Sequence, residues 1–314
     1  MRRVLAVSCA LLLCFSLTAP AQATHLPIVL PSLARDLVSY YDFEHPLPGN
    51  PALERDRGRS GTHLSLLNGG KDMRVRDRAF PASRSALQLK QVNPTVAGND
   101  DWKAGVWAPV PGVPTLHAFN GAREMSIMGW FKMTGQNPAP NSNSANPDDF
   151  YGAIGLAGLL SGDSNGHAVR GLLELMNVNG KMSLVALGRR VDGAASQYFT
   201  ANADWQTLLP ANEWVFLAAT FNFDTGAIAL YRNGKPVDGF YAVTGDPWAL
   251  VGEPEPDLAS PTDPLGIKIG GSYPQNHRET NACNCRMDSL MFLDRAVSKW
   301  EVHFQYEWMR HLPG

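Results

Sequence analysis

Asn212–Gly234 reads NEWVFLAATFNFDTGAIALYRNG, and the pattern of this stretch decides the architecture. Successive strand side chains point to opposite faces. Trp214, Phe216, Ala218 and Thr220 therefore share one face, and Val215, Leu217, Ala219 and Phe221 the other. Both faces are largely apolar, which places the strand inside a two-layer β structure. Asp224-Thr225-Gly226 turns the chain, Ala227–Tyr231 returns antiparallel, and Asn233-Gly234 reverses it again. Asn and Gly suit the positive φ angles that a two-residue hairpin turn requires.

Similar signals recur in both directions. Gly171–Asn177 and Lys181–Gly188 form a hairpin across Asn179-Gly180. Leu37–Phe43 (LVSYYDF), Ser85–Lys90 (SALQLK), Glu124–Lys132 (EMSIMGWFK) and the later LGIKIGG read as strands, and Glu54–Gly70 as a turn and strand. CRMDSLMFLDRAVSKWEVHFQYE then gives a last strand and a short closing helix. Short strands with regular turns predict an all-β, two-sheet antiparallel jelly-roll sandwich with long loop insertions. The sequence holds no internal repeat, heptad, phosphate-binding glycine loop or dinucleotide fingerprint.

The order EW…AATF…G…ALYRNGK, then L.IGG, then R.DSL…DRAVS..E resembles the laminin-G-like and pentraxin-like jelly rolls of the concanavalin A-like lectin/glucanase superfamily. The resemblance implies that the opening strand lies near the C-terminal one. It also implies that the last strand carries an Asp before a short LS..E helix. Here those positions are Asp288, Ala296-Val297-Ser298 and Glu301. It implies a fold and not a function, because the superfamily holds lectins, adhesion modules, hydrolases and lyases.

Residues 1–23 read as a secretion signal: Arg2 and Arg3, the apolar Val4–Leu17, and Ala21-Gln22-Ala23 before Thr24. Lipid attachment at Cys14 is the alternative, and it lacks a small residue just before the Cys. The expectation is a secreted protein, extracellular or periplasmic, with no membrane insertion, because the apolar run is too short to span a bilayer. Residues 24–35 read as a Pro-containing leader arm, and 36–314 as a single domain of the laminin-G-like class. Without Arg2 and Arg3, the 27 basic side chains fall further below the 29 acidic ones, which gives no support for a nucleic-acid partner.

Of the four cysteines, Cys9 and Cys14 leave with the signal. Cys283 and Cys285 remain, with three readings open: a local disulfide, free or intermolecular thiols, or a metal or redox site with His277.

Three loops depart from a compact module: Val92–Phe119, Gly135–Tyr151 and the Pro-rich Gly245–Pro264. Long loops in a compact domain are often functional. In the first, Asn99, Asp100, Asp101, Trp102 and Trp107 suit carbohydrate, since indole faces stack on sugar rings and Asp or Asn fix hydroxyls. The competing reading is that Trp102 and Trp107 tuck the loop onto the sandwich while the acids face water. Tyr273 and His277 join the candidate sugar site from the loop before the last strand. Ca²⁺ is the one cofactor considered, at the loop acids or as a structural ion at Asp42, Asp56 and Asp288. In the family the turn Asp and last-strand Asp instead bond loop amides, which is the alternative for Asp56 and Asp288.

The glucanase and alginate-lyase motifs of the superfamily are lacking. A retaining glycosidase needs two close carboxylates, and Glu174 is the sole acid in a strand that could project into a cleft. A polysaccharide lyase needs a Tyr or His base and a neutralising partner, and the R-S/T-E-L-R strand of alginate lyases is missing. The leading expectation is a non-catalytic carbohydrate-binding or adhesion protein whose partner is an extracellular or cell-surface glycan, with a protein partner as an option. A polysaccharide-active enzyme, lyase before glycosidase, is the alternative.

Overall fold

The computed structural model describes residues 28–92, 100–107, 122–135, 153–160, 169–189, 196–242, 266–271 and 282–314. They form two packed antiparallel sheets and a C-terminal helix, Lys299–His311. At the centre of one sheet, Val215–Asn222 lies between Ile228–Arg232 and Glu124–Met133. Glu124–Met133 in turn pairs with Cys285–Leu293. The opposing sheet is built on the Val169–Val178 and Lys181–Arg189 hairpin. Beside it run Ile154–Leu160, Gly266–Ile269 and Lys103–Trp107 on one flank, and Ser196–Ala201 on the other.

The expected turns form where Asn-Gly permits positive φ. Asn179 and Gly180 have φ 54° and 79°, and Asn233 and Gly234 have 49° and 74°. The expected pairing of the opening strand also forms, with Leu37–Tyr41 running antiparallel to Leu290–Leu293. On the same flank the earlier half, Cys285–Met287, pairs with Ala86–Leu89 instead. The change of partner coincides with a bulge at Asp288–Met291, where Ser289 takes φ 52°. Gly129 sits opposite, and a Cβ there would lie 2.5 Å from Leu290 Cδ2.

Val215, Leu217, Ala219 and Phe221 join the core between the sheets, with Ile127, Leu173, Leu184 and Ile267. The other face of the strand is covered differently from what two layers imply. Phe216 and Ala218 join a second apolar cluster with Met128, Trp130, Met291, Val302 and Met309, under the C-terminal helix. The molecule thus has a third, partial layer.

That layer also takes in the first described residues of the chain. Residues 24–27 lie outside the described residues, but Val29 and Leu33 are buried in the second cluster. Gln305, fully buried on the helix, accepts from Leu30 N–H (2.7 Å) and donates to Ile28 C=O (2.8 Å). One side chain therefore satisfies a donor and an acceptor of the incoming chain.

The helix start follows the sequence. Ser298 Oγ accepts from Glu301 N–H (3.3 Å) and Glu301 Oε2 accepts from Ser298 N–H (2.9 Å), which is a capping box. Glu301 also takes both terminal nitrogens of Arg295, at 2.9 and 2.8 Å. Those bonds, ahead of the opposing effect of burial, hold its carboxyl down at about 2.

Candidate functional site

Two features on opposite faces of the sandwich carry chemistry. The first is an open pocket of about 400 Å³ between the eight-stranded sheet and the C-terminal helix. Trp130, Trp214, Asn233, Phe80, Tyr306 and Arg310 line it. Register explains how it assembles. Phe216 lies directly opposite Trp130, and Trp214 precedes Phe216 by two residues on the same face. The helix adds Tyr306 and, one turn on, Arg310.

The aromatic rings form a connected set. Trp130 stacks on Phe80 with centroids 5.9 Å apart, and lies 5.5 Å from Phe216 and 5.7 Å from Tyr306. Arg310 lies over the Tyr306 ring at 5.3 Å and Lys132 over Trp214 at 5.6 Å. Trp130 and Phe80 are 5% exposed and make the floor, while Trp214 and Tyr306 are partly exposed walls.

Polar groups at the pocket are nearly all committed. Trp214 Nε1–H donates to Asp77 Oδ1 (3.1 Å), whose other oxygen takes Lys132 (3.0 Å) and Arg286 (2.6 Å). Burial opposes ionisation of Asp77, but the bonds from Arg286, Lys132 and Trp214 outweigh it and hold the carboxyl below its ordinary value. Asn233 Oδ1 accepts from Phe216 N–H (2.9 Å). The buried Trp130 Nε1–H has no acceptor among the described residues.

The second feature is a charged row on the outer face of the ten-stranded sheet. Directly paired residues share a face. Tyr198, Leu187, Leu172, Gly158, Lys268 and Gly105 therefore lie in one rung across six strands. Thr200, Val185, Glu174 and Gly155 form the next, with Lys103 on the same face two residues from Gly105. Glu174 is 2% exposed and Lys103 and Lys268 are each 1% exposed, so this row is closed to solvent. Burial first, and then the Glu174 charge, push the Tyr198 phenol above its ordinary value. Tyr198 therefore ionises less readily than an ordinary phenol.

The sequence-derived candidates do not converge on either feature. Asn99, Tyr273 and His277 lie outside the described residues, as does the side chain of Trp107. Asp100 is exposed. Asp101 is 7% exposed, with Oδ1 accepting from Val92 N–H (2.9 Å) and its C=O accepting from Asn68 (2.7 Å). Trp102 packs on the core beside Gly69, where a Cβ would lie 2.7 Å from its ring.

Asp42, Asp56 and Asp288 are each engaged by groups of the protein itself. Asp42 bonds His45 (2.8 Å) and Arg57. Asp56 accepts from Tyr40 N–H (2.9 Å), Gly58 N–H (2.7 Å), Thr62 N–H (3.1 Å) and the Ser60 hydroxyl, the loop-amide role of the alternative reading. Asp288 is pushed well above its ordinary value, first by burial, which favours its uncharged form. No group of three or more His, Cys, Asp or Glu side chains suited to a metal occurs among the described residues. The Sγ atoms of Cys283 and Cys285 stand 2.08 Å apart, both residues buried.

Sequence reasoning missed the pocket because its residues read as ordinary core. The available signal was the register of two aromatic-bearing strands, which brings Trp130 and Phe216 together.

No family model and no curated protein matches the sequence. Solved structures do resemble the fold. A Trypanosoma rangeli sialidase matches with a TM-score of 0.50 at 12% identity, over 87% of this chain and 32% of its own. A receptor-binding domain matches with a TM-score of 0.52 at 12% identity, over 89% of this chain and 52% of its own. A variant of the HCR D/C of VPI 5995 matches with a TM-score of 0.52 at 12% identity, over 88% and 53%. At these identities the likeness shows a shared β-sandwich, and the chain spans a third to about half of each.

Proposed function

We propose that this protein is a secreted, non-catalytic carbohydrate-binding or adhesion protein of the laminin-G-like class. The open aromatic pocket carries the proposal. Trp214 and Tyr306 offer partly exposed ring faces for the apolar face of a sugar, and Asn233 and Arg310 supply polar contacts at the rim. Secretion is supported by the Arg2–Ala23 leader pattern. A disulfide between Cys283 and Cys285 is supported by their separation and fits an oxidising compartment. The similar sialidase, an enzyme named for a sugar substrate, agrees in fold with a role at glycans.

The enzyme alternative has less support. Among the described residues the charged row holds one carboxylate, Glu174, and a retaining glycosidase needs a close pair.

The test is a glycan array and polysaccharide pull-down on the mature protein, with Ca²⁺ and with chelator, while released sugar and unsaturated product are monitored. Retention without turnover is expected. Trp214→Ala should weaken it about tenfold, as loss of a buried aromatic anchor does. Product formation, or retention unaffected by Trp214→Ala, would overturn the proposal; loss with chelator would place Ca²⁺ at the site.

A further inference from the structure

We infer that the outward face of the C-terminal helix pairs with the same face of a second copy of this chain, antiparallel, about a two-fold axis at Phe304. The inference goes beyond glycan contact and does not rest on it. Lys299–His311 buries Val302, Gln305 and Met309 against the rest of the molecule. On the opposite side Trp300, Phe304 and Trp308 are 61%, 53% and 38% exposed. Spaced four residues apart, they form a single ridge along the helix. Three of the six exposed large hydrophobic side chains among the described residues thus stand in one row. Such side chains scattered singly need no explanation, but a contiguous patch of them marks a contact surface.

The order of residues along the ridge says what fits it. Trp300 follows Lys299, Trp308 follows Glu307, and Phe304 stands midway. Turned end for end, the ridge presents the same shapes with the opposite charges. In an antiparallel pair Phe304 meets its own copy, Trp300 meets Trp308 of the second copy, and Lys299 comes beside Glu307. A two-fold contact is isologous, so the tryptophan and charge pairings each occur twice. A parallel pair would instead set Lys299 against Lys299 and Glu307 against Glu307. Both charges are available. Lys299 lies over the Trp300 ring at 5.1 Å with no carboxylate partner among the described residues. Glu307 meets Arg310 at 3.6 Å and His311 at 3.3 Å, both on its own helix.

A membrane surface fits this face less well. Helices that lie on lipid carry many Lys and Arg beside their apolar residues. Here Lys299 and Arg310 are offset by Glu301 and Glu307, and Glu307 directly precedes Trp308 on the ridge. The size of the face sets the strength of pairing. Stable complexes bury about 800 Å² on each partner, and one helix face offers less, so the association belongs in the micromolar range.

The experiment is sedimentation equilibrium of the mature protein across the micromolar range, with oxidative cross-linking of variants that carry an introduced cysteine. A reversible monomer–dimer equilibrium is expected. Phe304→Glu, at an exposed position, should raise the dissociation constant at least about tenfold without lowering the melting temperature. Lys299→Glu should weaken pairing several-fold, and adding Glu307→Lys in the same chain should restore it. Phe304→Cys should cross-link to itself. Trp300→Cys and Trp308→Cys should cross-link to each other in a mixture, and neither to itself.

A monomer at every concentration would overturn the inference. Capture of that monomer by phosphatidylcholine–phosphatidylserine vesicles, lost in Phe304→Glu, would assign the face to a membrane instead. A dimer unweakened by Phe304→Glu would overturn the inference by moving the contact elsewhere on the molecule. Cross-linking of Trp300→Cys to itself would overturn the antiparallel arrangement.

Discussion

The two outer faces of the sandwich invert what their residue types suggest. On the eight-stranded side, Trp214 and Tyr306 are core-type aromatics standing partly in the open, as walls of a pocket. On the ten-stranded side, Lys103, Lys268 and Glu174 are surface-type charges, each 2% exposed or less. Charged side chains are seldom fully buried, so the second face is costly to build. The first is held by apolar burial that the helix and residues 28–37 complete. One outer face is thus open and aromatic, and the other is closed and ionic.

The largest effect expected from that contrast is at the shared floor of the aromatic side. Phe216 is fully buried between Trp130 and Tyr306, and Phe216→Ala should cost about 3–5 kcal/mol in denaturant unfolding. A loss below 1 kcal/mol would show that the helix does not seal this face.

A second test uses pH. Asp288 is raised in the folded state, so its stabilising contribution is present below the ordinary carboxylate value of 3.8 and is lost as pH climbs from there through its folded value. Asp288→Asn should remove that loss, making the variant's melting temperature fall less than the wild type's between pH 4 and neutrality. Parallel pH profiles for the two proteins would contradict the assignment.

Smaller again is the helix cap. Ser298→Ala removes the acceptor for Glu301 N–H and should cost about 1 kcal/mol, read as a lower unfolding midpoint. The last test is read in protonation rather than in stability, at the charged row. Glu174→Gln keeps shape and removes charge, and the Tyr198 phenol, followed by ultraviolet titration, should then ionise at lower pH. It should stay above the ordinary value, because burial is the larger cause of its shift. An unchanged Tyr198 titration would mean that the two side chains do not face each other.

Local signals carried most of the fold. Asn179-Gly180 and Asn233-Gly234 announce their hairpins because few residues tolerate those φ angles, and Ser298 with Glu301 announces the helix start. The two-sided apolar pattern of Val215–Asn222 also predicts burial of both faces. It does not reveal what covers the second face, since a helix and a sheet bury the same residues. Residues 28–35 lack periodicity yet are anchored by Gln305, 270 or more positions away, a contact that no local pattern encodes. The site was less legible for the same reason. Trp130, Trp214 and Tyr306 meet only through strand register and helix docking. Glu174 was visible as the sole acid in its strand, whereas Lys103 and Lys268 join it only through strand order.

The strand Cys285–Leu293 has a further consequence, in time rather than in space. It pairs with Leu37–Tyr41, Ala86–Leu89 and Glu124–Met133, three segments made long before it. As the chain emerges from its N-terminus, these early strands wait for a partner made much later. Distant pairings of this kind slow folding. A nascent chain stopped before Cys285 holds open edges in the middle of its own sheet, a state for a chaperone or a protease to meet first.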